Sequence, residues 1–392
     1  MSTLAPPPLA LYVHLPWCVR KCPYCDFNSH ALPAAGLPER AYLAALLDDL
    51  DASATGVAGR EVVSVFFGGG TPSLFSPASI GAVLDRLAAR LPVAPDLEVT
   101  LEANPGTVEH GTFAGYRTAG VNRVSLGAQS FDDASLGALG RIHAADETVA
   151  AVAEIRAAGI DDFNLDLMYA LPDQAVEAAI ADVERAIDLG PTHLSHYHLT
   201  LEPGTAFERR PPRLPDEDAM EAMQLGCHER LAAAGYAQYE VSAFARDGAR
   251  CRHNLNYWTH GDYLGIGAGA HGKLTDAARD AIVRTERVRQ PGLYLAAQSH
   301  EQRIAATRVV ETGDRAFEFF LNALRLVDGF AVEAFEARTG CPWSSVSGVV
   351  QRAVERDLLE PRPAGGWRPT ARGRLFLNDL QAMFLPGAVG TY

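Results

Sequence analysis

The strongest constraint on this chain is a repeating period. In its first half a short β-rich run is followed by an amphipathic helical stretch, and the pattern recurs through six strand candidates. These are LALYVHL (9–15), VVSVFFG (62–68), LEVTLEA (97–103), NRVSLGA (122–128), DFNLDLMYA (162–170) and HLSHYHLT (193–200). Helical stretches such as PASIGAVLDRLAAR and VEAAIADVERAIDLG lie between them, and Gly159 and Gly190 sit where helix C-caps belong. Successive βα units imply a parallel sheet, either a partly open barrel or a doubly wound sheet.

The polar residues choose between the two. Parallel strands buried on both faces are apolar throughout. Here alternation puts Thr100, Glu102 and Asn104 on one face, and likewise Ser125, Gly127 and Gln129; Asn164, Asp166 and Met168; and His196, His198 and Thr200. The opposite faces carry Val99, Leu101, Val124, Leu126, Leu165 and Leu167, as packing on helices requires. An incompletely closed (β/α)6 barrel with a wet interior explains the asymmetry, and its reactive groups collect at the C-terminal strand ends.

Beyond residue 208 the pattern changes. RRPPRLPDED (209–218) reads as a linker. A helix over about 216–234, ended by Gly235, then a strand YEVSAF and an irregular Gly-rich stretch (263–272) make an α+β region over 209–305. Residues 306–392 read as three short helices, a hairpin at LEPRPAGGWRPT and a last helix: a winged-helix-like helical domain. The first unit is 1–208. A formal charge of −14 argues against nucleic acid as a partner and makes the C-terminal unit a docking or packing domain. No apolar run is long enough to span a bilayer, and the N-terminus lacks a basic n-region and is broken by Pro6, Pro7 and Pro8. The expectation is a soluble cytoplasmic protein. Cys227, Cys251 and Cys341 lie far apart and read as buried small hydrophobes.

Cys18, Cys22 and Cys25 are different. Their C-x-x-x-C-x-x-C spacing falls in the loop after the first strand, at the functional end of the barrel. Thiolates hold zinc or iron–sulfur clusters. Structural zinc needs a fourth ligand, which His14, Asp26 or His30 could supply; a 4Fe–4S cube on three cysteines keeps one iron open. The second strand then runs into Phe67-Gly68-Gly69-Gly70-Thr71-Pro72. Three glycines let backbone approach a ligand closely, and no Gly-Lys-Ser/Thr follows to make a P-loop.

Three cysteines followed by a G-G-G-T-P turn resemble the radical S-adenosylmethionine (SAM) superfamily. Within it the chain is similar to the branch of the oxygen-independent coproporphyrinogen III oxidases and the HemW-type haem chaperones. The resemblance implies a 4Fe–4S cluster on Cys18, Cys22 and Cys25, with the unligated iron chelating the methionyl amino and carboxylate groups of SAM. It implies a SAM site of Tyr12, Gly69, Gly70, Thr71, Glu102, Gln129, Arg141 and Asp166. Glu102, Gln129 and Asp166 are also inward-facing by alternation alone. Arg141 reads equally as a surface salt bridge.

Two features separate the branches. The oxidase pattern continues C-x-x-x-C-x-x-C-x-C, but its last position here is Phe27, and Tyr12 lies too near the start for the oxidase's N-terminal extension. CRHNLNYW (251–258) matches the chaperone's H-N-x-x-Y-W, which implies haem bound through His253, Asn254, Tyr257 and Trp258. Imidazole ligates haem iron and aromatic rings suit a porphyrin face. Alone, such a segment is more often a hydrogen-bonded turn. His196 and His198 are rival ligands, expected instead to line the barrel cavity. The expected partners are haem as cargo and apo-haemoproteins, membrane respiratory enzymes among them, with a homodimer as one assembly. The alternatives are a coproporphyrinogen-decarboxylating radical SAM enzyme and a zinc-stapled scaffold.

Overall fold

The computed structural model describes residues 4–106, 113–246 and 248–386. Its strands in chain order are β1 (Leu9–Leu15), β2 (Trp17–Cys18), β3 (His30–Ala31), β4 (Val62–Gly69), β5 (Val93–Ala103), β6 (Arg123–Gln129), β7 (Asp162–Tyr169) and β8 (His193–His198). They are followed by β9 (Ala237–Gln238), β10 (Ala243–Ala245), β11 (Asp262–Ile266), β12 (His271–Asp276), β13 (Ala281–Arg287), β14 (Ile304–Val309), β15 (Leu359–Pro361) and β16 (Trp367–Pro369).

One twelve-stranded sheet runs β14-β13-β12-β11-β1-β4-β5-β6-β7-β8-β10-β9. From β1 to β8 the pairings are parallel, as the βα period requires. Helices Glu39–Thr55, Pro77–Arg90, Ala145–Ala157 and Val176–Asp188 follow strands and cover the outer face. Leu11, Val13, Val65, Phe67, Val99, Leu101, Leu165 and Leu167 point into that helix layer and form its core. Burying a side chain of this size contributes about 1.5–3 kcal/mol. Ser76 caps the second helix by accepting from Ser79 N–H, with Pro77 preset at the first helical position. Gly159 and Gly190 take φ of 72° and 60° just beyond their helices, as expected.

The sheet does not close on itself. Its edges are extended by the later region instead: β11 adds to β1 in parallel and β10 adds to β8 antiparallel. β11 falls in the Gly-rich stretch read as irregular, because Gly265 and Gly267 obscure the alternation. Helix Arg252–Trp258 lies against the inner face. Its first amides, Arg252 N–H and His253 N–H, donate to the Glu98 carboxylate of β5 at 2.9 Å each, a favourable charge for a helix start.

Residues 312–386 form a second core around Phe319, Phe320, Phe330, Phe335 and Phe384, with the β15–β16 hairpin beside three helices as expected. The last helical stretch is broken in two, Ala371–Leu375 and Leu377–Ala382. Glu318 of this unit bonds both Arg284 and Arg308, which ties it to the extended sheet.

Candidate cofactor site and adjoining cavity

The cysteine loop is pinned at both ends. Trp17 pairs with His30 and Cys18 with Ala31, and the Trp17 ring sits edge-on to Tyr42 at 4.7 Å. Inside the loop Lys21 Nζ donates to the Phe27 and Ser29 carbonyls at 2.9 and 3.2 Å. Cys18, Cys22 and Cys25 are half-buried free thiols facing one cavity. Burial pushes the Cys18 and Cys25 thiols up, so their ionised forms call for a bound cation. Among the described residues no three His, Cys, Asp or Glu side chains are gathered to hold a single metal ion; cluster thiolates sit on separate irons and need not converge on a point. Of the fourth ligands a zinc site would need, His14 lies 3.0 Å from Tyr12 OH and 2.9 Å from the Asn28 carbonyl. His30 is engaged with Asn28.

That cavity, of about 380 Å³, lies over the C-terminal strand ends and is lined by the thiols with Gly69, Gly70, Glu102, Gln129 and Asp166. The turn after β4 is wedged under the cysteine loop: Gly70 N–H donates to Leu15 O and Thr71 N–H to Trp17 O, both at 2.8 Å. A Cβ on Gly70 would stand 2.5 Å from the Trp17 carbonyl oxygen. Gly69 has a φ of 114°, which only glycine adopts readily, and its N–H donates to Glu102 Oε2 at 3.1 Å. Thr71 lies behind the wall, accepting from Asn104 Nδ2 at 2.9 Å.

The floor is acidic. Burial, then the nearby Asp166, pushes the Glu102 carboxyl up to about 8, against the Gly69 hydrogen bond. Burial also raises Asp166, although Asn164 Nδ2 and Ser125 Oγ donate to it at 2.9 and 3.0 Å. No guanidinium or ammonium neutralises Glu102 among the described residues. Two carboxyls raised in this way suit a ligand that brings positive charge. Arg141 is not the surface ion pair that its position allowed. Its guanidinium donates to Asn104 Oδ1 at 2.5 Å, Gly127 O at 2.8 Å and Cys22 Sγ at 3.7 Å, joining the barrel to the cysteine loop.

A second cavity, of about 610 Å³, shares Gly69, Glu102 and Phe27 with the first. Tyr12 faces this one. So do Tyr257 and Trp258, whereas His253 and Asn254 do not line it. The His253 imidazole is buried, with Nδ1 3.0 Å from Ser64 Oγ and Nε2 3.0 Å from Tyr257 OH, and it stacks on Phe66. Burial drops its pKa to about 3, so the ring is neutral.

One face assignment fails. His196 points outward, stacked on Tyr169 at 4.5 Å. β8 pairs Asp166 with Ser195 and Met168 with Tyr197, so Ser195 and Tyr197 face inward instead. The run HLSHYH is polar at alternate positions on both faces, and alternation alone cannot fix its register. His198, at the strand's end, does line the first cavity. Sequence reasoning also missed Phe27 as a wall: it is 60% exposed between the two cavities, where solvent contact leaves so large an apolar ring unsatisfied. Cys227, Cys251 and Cys341 are buried free thiols, as expected.

Comparison with known proteins bears on the family and the fold. The family described as "Radical SAM superfamily" matches residues 12–186, and "HemN C-terminal domain" matches residues 312–376. The Escherichia coli protein named "Heme chaperone HemW" is 48% identical over 379 residues, covering 97% of this chain and 98% of its own. The Haemophilus influenzae protein of the same name is 46% identical, over 97% and 98%. The solved structure of the E. coli coproporphyrinogen III oxidase HemN, described as a radical SAM enzyme, superposes with a TM-score of 0.81. It is 21% identical and covers 98% of this chain and 91% of that one, a likeness of fold.

Proposed function

Because this chain belongs to the HemW haem-chaperone family of the radical SAM superfamily, we propose that it binds haem beside a SAM-bound 4Fe–4S cluster and delivers the haem to apo-haemoproteins. The observation that carries this reading is the shared wall. A cavity bearing three cysteine thiols shares Gly69, Glu102 and Phe27 with a larger one fronted by Tyr257 and Trp258.

The donor set fits the cluster: three thiols on a pinned loop, with the fourth position left to a small molecule. In this reading Cys18, Cys22 and Cys25 hold the cluster, and it supplies one open iron and an electron when bound. Gly69, Gly70 and Thr71 form the turn against the methionyl end of SAM. Glu102, Gln129 and Asp166 offer acceptors to its ammonium, hydroxyl and sulfonium-bearing parts, and Arg141 keeps the cysteine loop in register with them. Tyr12, behind Gly68 and Glu102, closes the inner side. An intact SAM site permits radical chemistry without demanding it.

Haem then occupies the second cavity. Tyr257 and Trp258 supply aromatic surface, and His253 and Asn254 anchor the helix that presents them. The proposed units are 1–208 for the barrel, 209–305 for the region bearing the haem segment and 306–392 for the C-terminal domain. No helix among the described residues is long and apolar enough to cross a membrane, and the proposed setting is the cytoplasm.

The test is anaerobic reconstitution with iron and sulfide, parallel titration with SAM and haem, and mixing of the haem-loaded protein with an apo-haemoprotein. Haem uptake followed by transfer supports the reading. Vinyl product from coproporphyrinogen with SAM and reductant would replace it with the oxidase reading.

A further inference from the structure

We infer that His271, rather than His253, supplies the axial ligand to haem iron in the second cavity, and that Arg289 at its rim pairs with a haem carboxylate. This rests on the haem-binding reading above and names the atoms that would perform it.

The cavity's chemistry calls for a flat apolar ligand carrying anionic groups. Its aromatic wall includes Phe27, Tyr257, Trp258 and Tyr263, and Tyr257 and Tyr263 stand edge to face at 4.5 Å. Its volume of about 610 Å³ lies within the ~300–1,000 Å³ range of small-molecule sites.

A cationic stretch adjoins Tyr263. It is built by register: Tyr263 of β11 pairs with Lys273 of β12, and Lys273 with Arg284 of β13. Lys273 and Arg284 are already committed, to Asp262 and Glu318. Arg289, just past β13, is exposed, lines the cavity and makes no side-chain hydrogen bond or ion pair among the described residues. A free guanidinium at an apolar rim is suited to a carboxylate.

Four histidines lie at or against this cavity, and three are engaged or sealed. Both nitrogens of His14 and both of His253 have protein partners. His260 is buried with neither ring nitrogen open to the cavity. His271 differs. It is exposed, lines the cavity and makes no side-chain hydrogen bond or ion pair among the described residues. It begins β12 two residues before Lys273, on the same strand face. An iron ligand there needs no existing bond to break, whereas His253 would first have to release Ser64 or Tyr257.

The experiment is haem titration of the full, cluster-reconstituted chain and of its His271→Ala, His253→Gln and Arg289→Gln variants, read by Soret absorption and haem EPR. His271→Ala should bind haem at least tenfold more weakly and lose the histidine-ligated spectrum, and added imidazole should restore that spectrum. His253→Gln should weaken binding through Tyr257 yet keep the histidine-ligated spectrum. Arg289→Gln should weaken binding severalfold with the spectrum unchanged. A wild-type spectrum in His271→Ala, or loss of histidine ligation in His253→Gln alone, overturns the ligand assignment while the haem reading stands. Unchanged affinity in Arg289→Gln overturns the carboxylate pairing. A wild-type protein that takes up no haem overturns both the inference and the reading beneath it.

Discussion

Glu102 accepts a hydrogen bond from the Gly69 amide at 3.1 Å, and this contact joins the acidic floor of the barrel to the glycine turn under the cysteine loop. Three separate stretches of chain therefore meet at one point: strand β5, the turn after β4 and the loop that carries Cys18, Cys22 and Cys25.

The burial of this carboxyl sets a pH dependence. The Glu102 carboxyl is pushed from 4.5 up to about 8, first by burial and then by Asp166. Between those values the unfolded chain is ionised there and the folded one keeps its proton. Stability therefore falls as pH rises through that window and levels off above it. Glu102→Gln should remove this slope and stabilise the cluster-free protein at pH 8 by roughly 1–3 kcal/mol, while weakening SAM binding at least tenfold. Urea melts across pH and SAM titration check both halves. A variant less stable than wild type at pH 8 would contradict the burial of an uncompensated carboxyl.

Arg141 is the mechanical link between loop and barrel, through Cys22 Sγ, Asn104 Oδ1 and Gly127 O. Arg141→Met keeps length but removes every donor. It should raise the SAM Kd about tenfold or more and speed loss of the cluster in air, with the melting temperature of the cluster-free chain little changed. Lysine should rescue poorly, because one ammonium cannot reach three acceptors in the guanidinium's planar arrangement.

Gly70 tests the close approach. Its missing Cβ is the space that the Trp17 backbone occupies. Gly70→Ala must push the cysteine loop off the turn, and reconstituted protein should hold less than half the wild-type iron and sulfide. Circular dichroism should be nearly unchanged, since the displaced segment is a loop over a covered core. Full cluster occupancy in the variant would show that the loop has more freedom than this packing allows.

Much of this was legible in advance. Six strands fall within a few residues of where the βα period puts them, because buried aliphatics on the outer face leave little choice of register. Glu102, Gln129 and Asp166 were readable because strand alternation put polar atoms where a closed core forbids them. Besides Phe27 as a wall, three things were not readable. His196 faces outward because HLSHYH offers polar residues to both faces. β11 was hidden by glycines that weaken any pattern. His271, Arg284 and Arg289 reach the second cavity only through antiparallel pairings made far along the chain, and no local spacing encodes those.

One of the long-range ties is itself measurable. Asp49 of the first helix is buried against Arg287, 2.9 Å away, with Tyr294 OH donating at 2.9 Å. Burial would raise this carboxyl, but His300 and the Arg287 guanidinium outweigh it and hold the group at about 2, below its ordinary 3.8. Its stabilising contribution is complete above 3.8 and is lost as pH falls toward 2. Asp49→Asn leaves Arg287 buried without its counter-charge and should cost about 3–5 kcal/mol in chemical denaturation at pH 7. A loss under 1 kcal/mol would mean that residues 267–303 are held to the barrel chiefly by apolar packing.

The account depends most on the open coordination position beside three cysteines. EPR and electron–nuclear double resonance of the anaerobically reconstituted, reduced protein, with and without SAM labelled at its amino nitrogen and carboxylate oxygen, test it directly. The account predicts a 4Fe–4S signal that changes on adding SAM and shows coupling to both labels. A cluster signal indifferent to SAM, or colourless protein containing zinc and no sulfide, would contradict it.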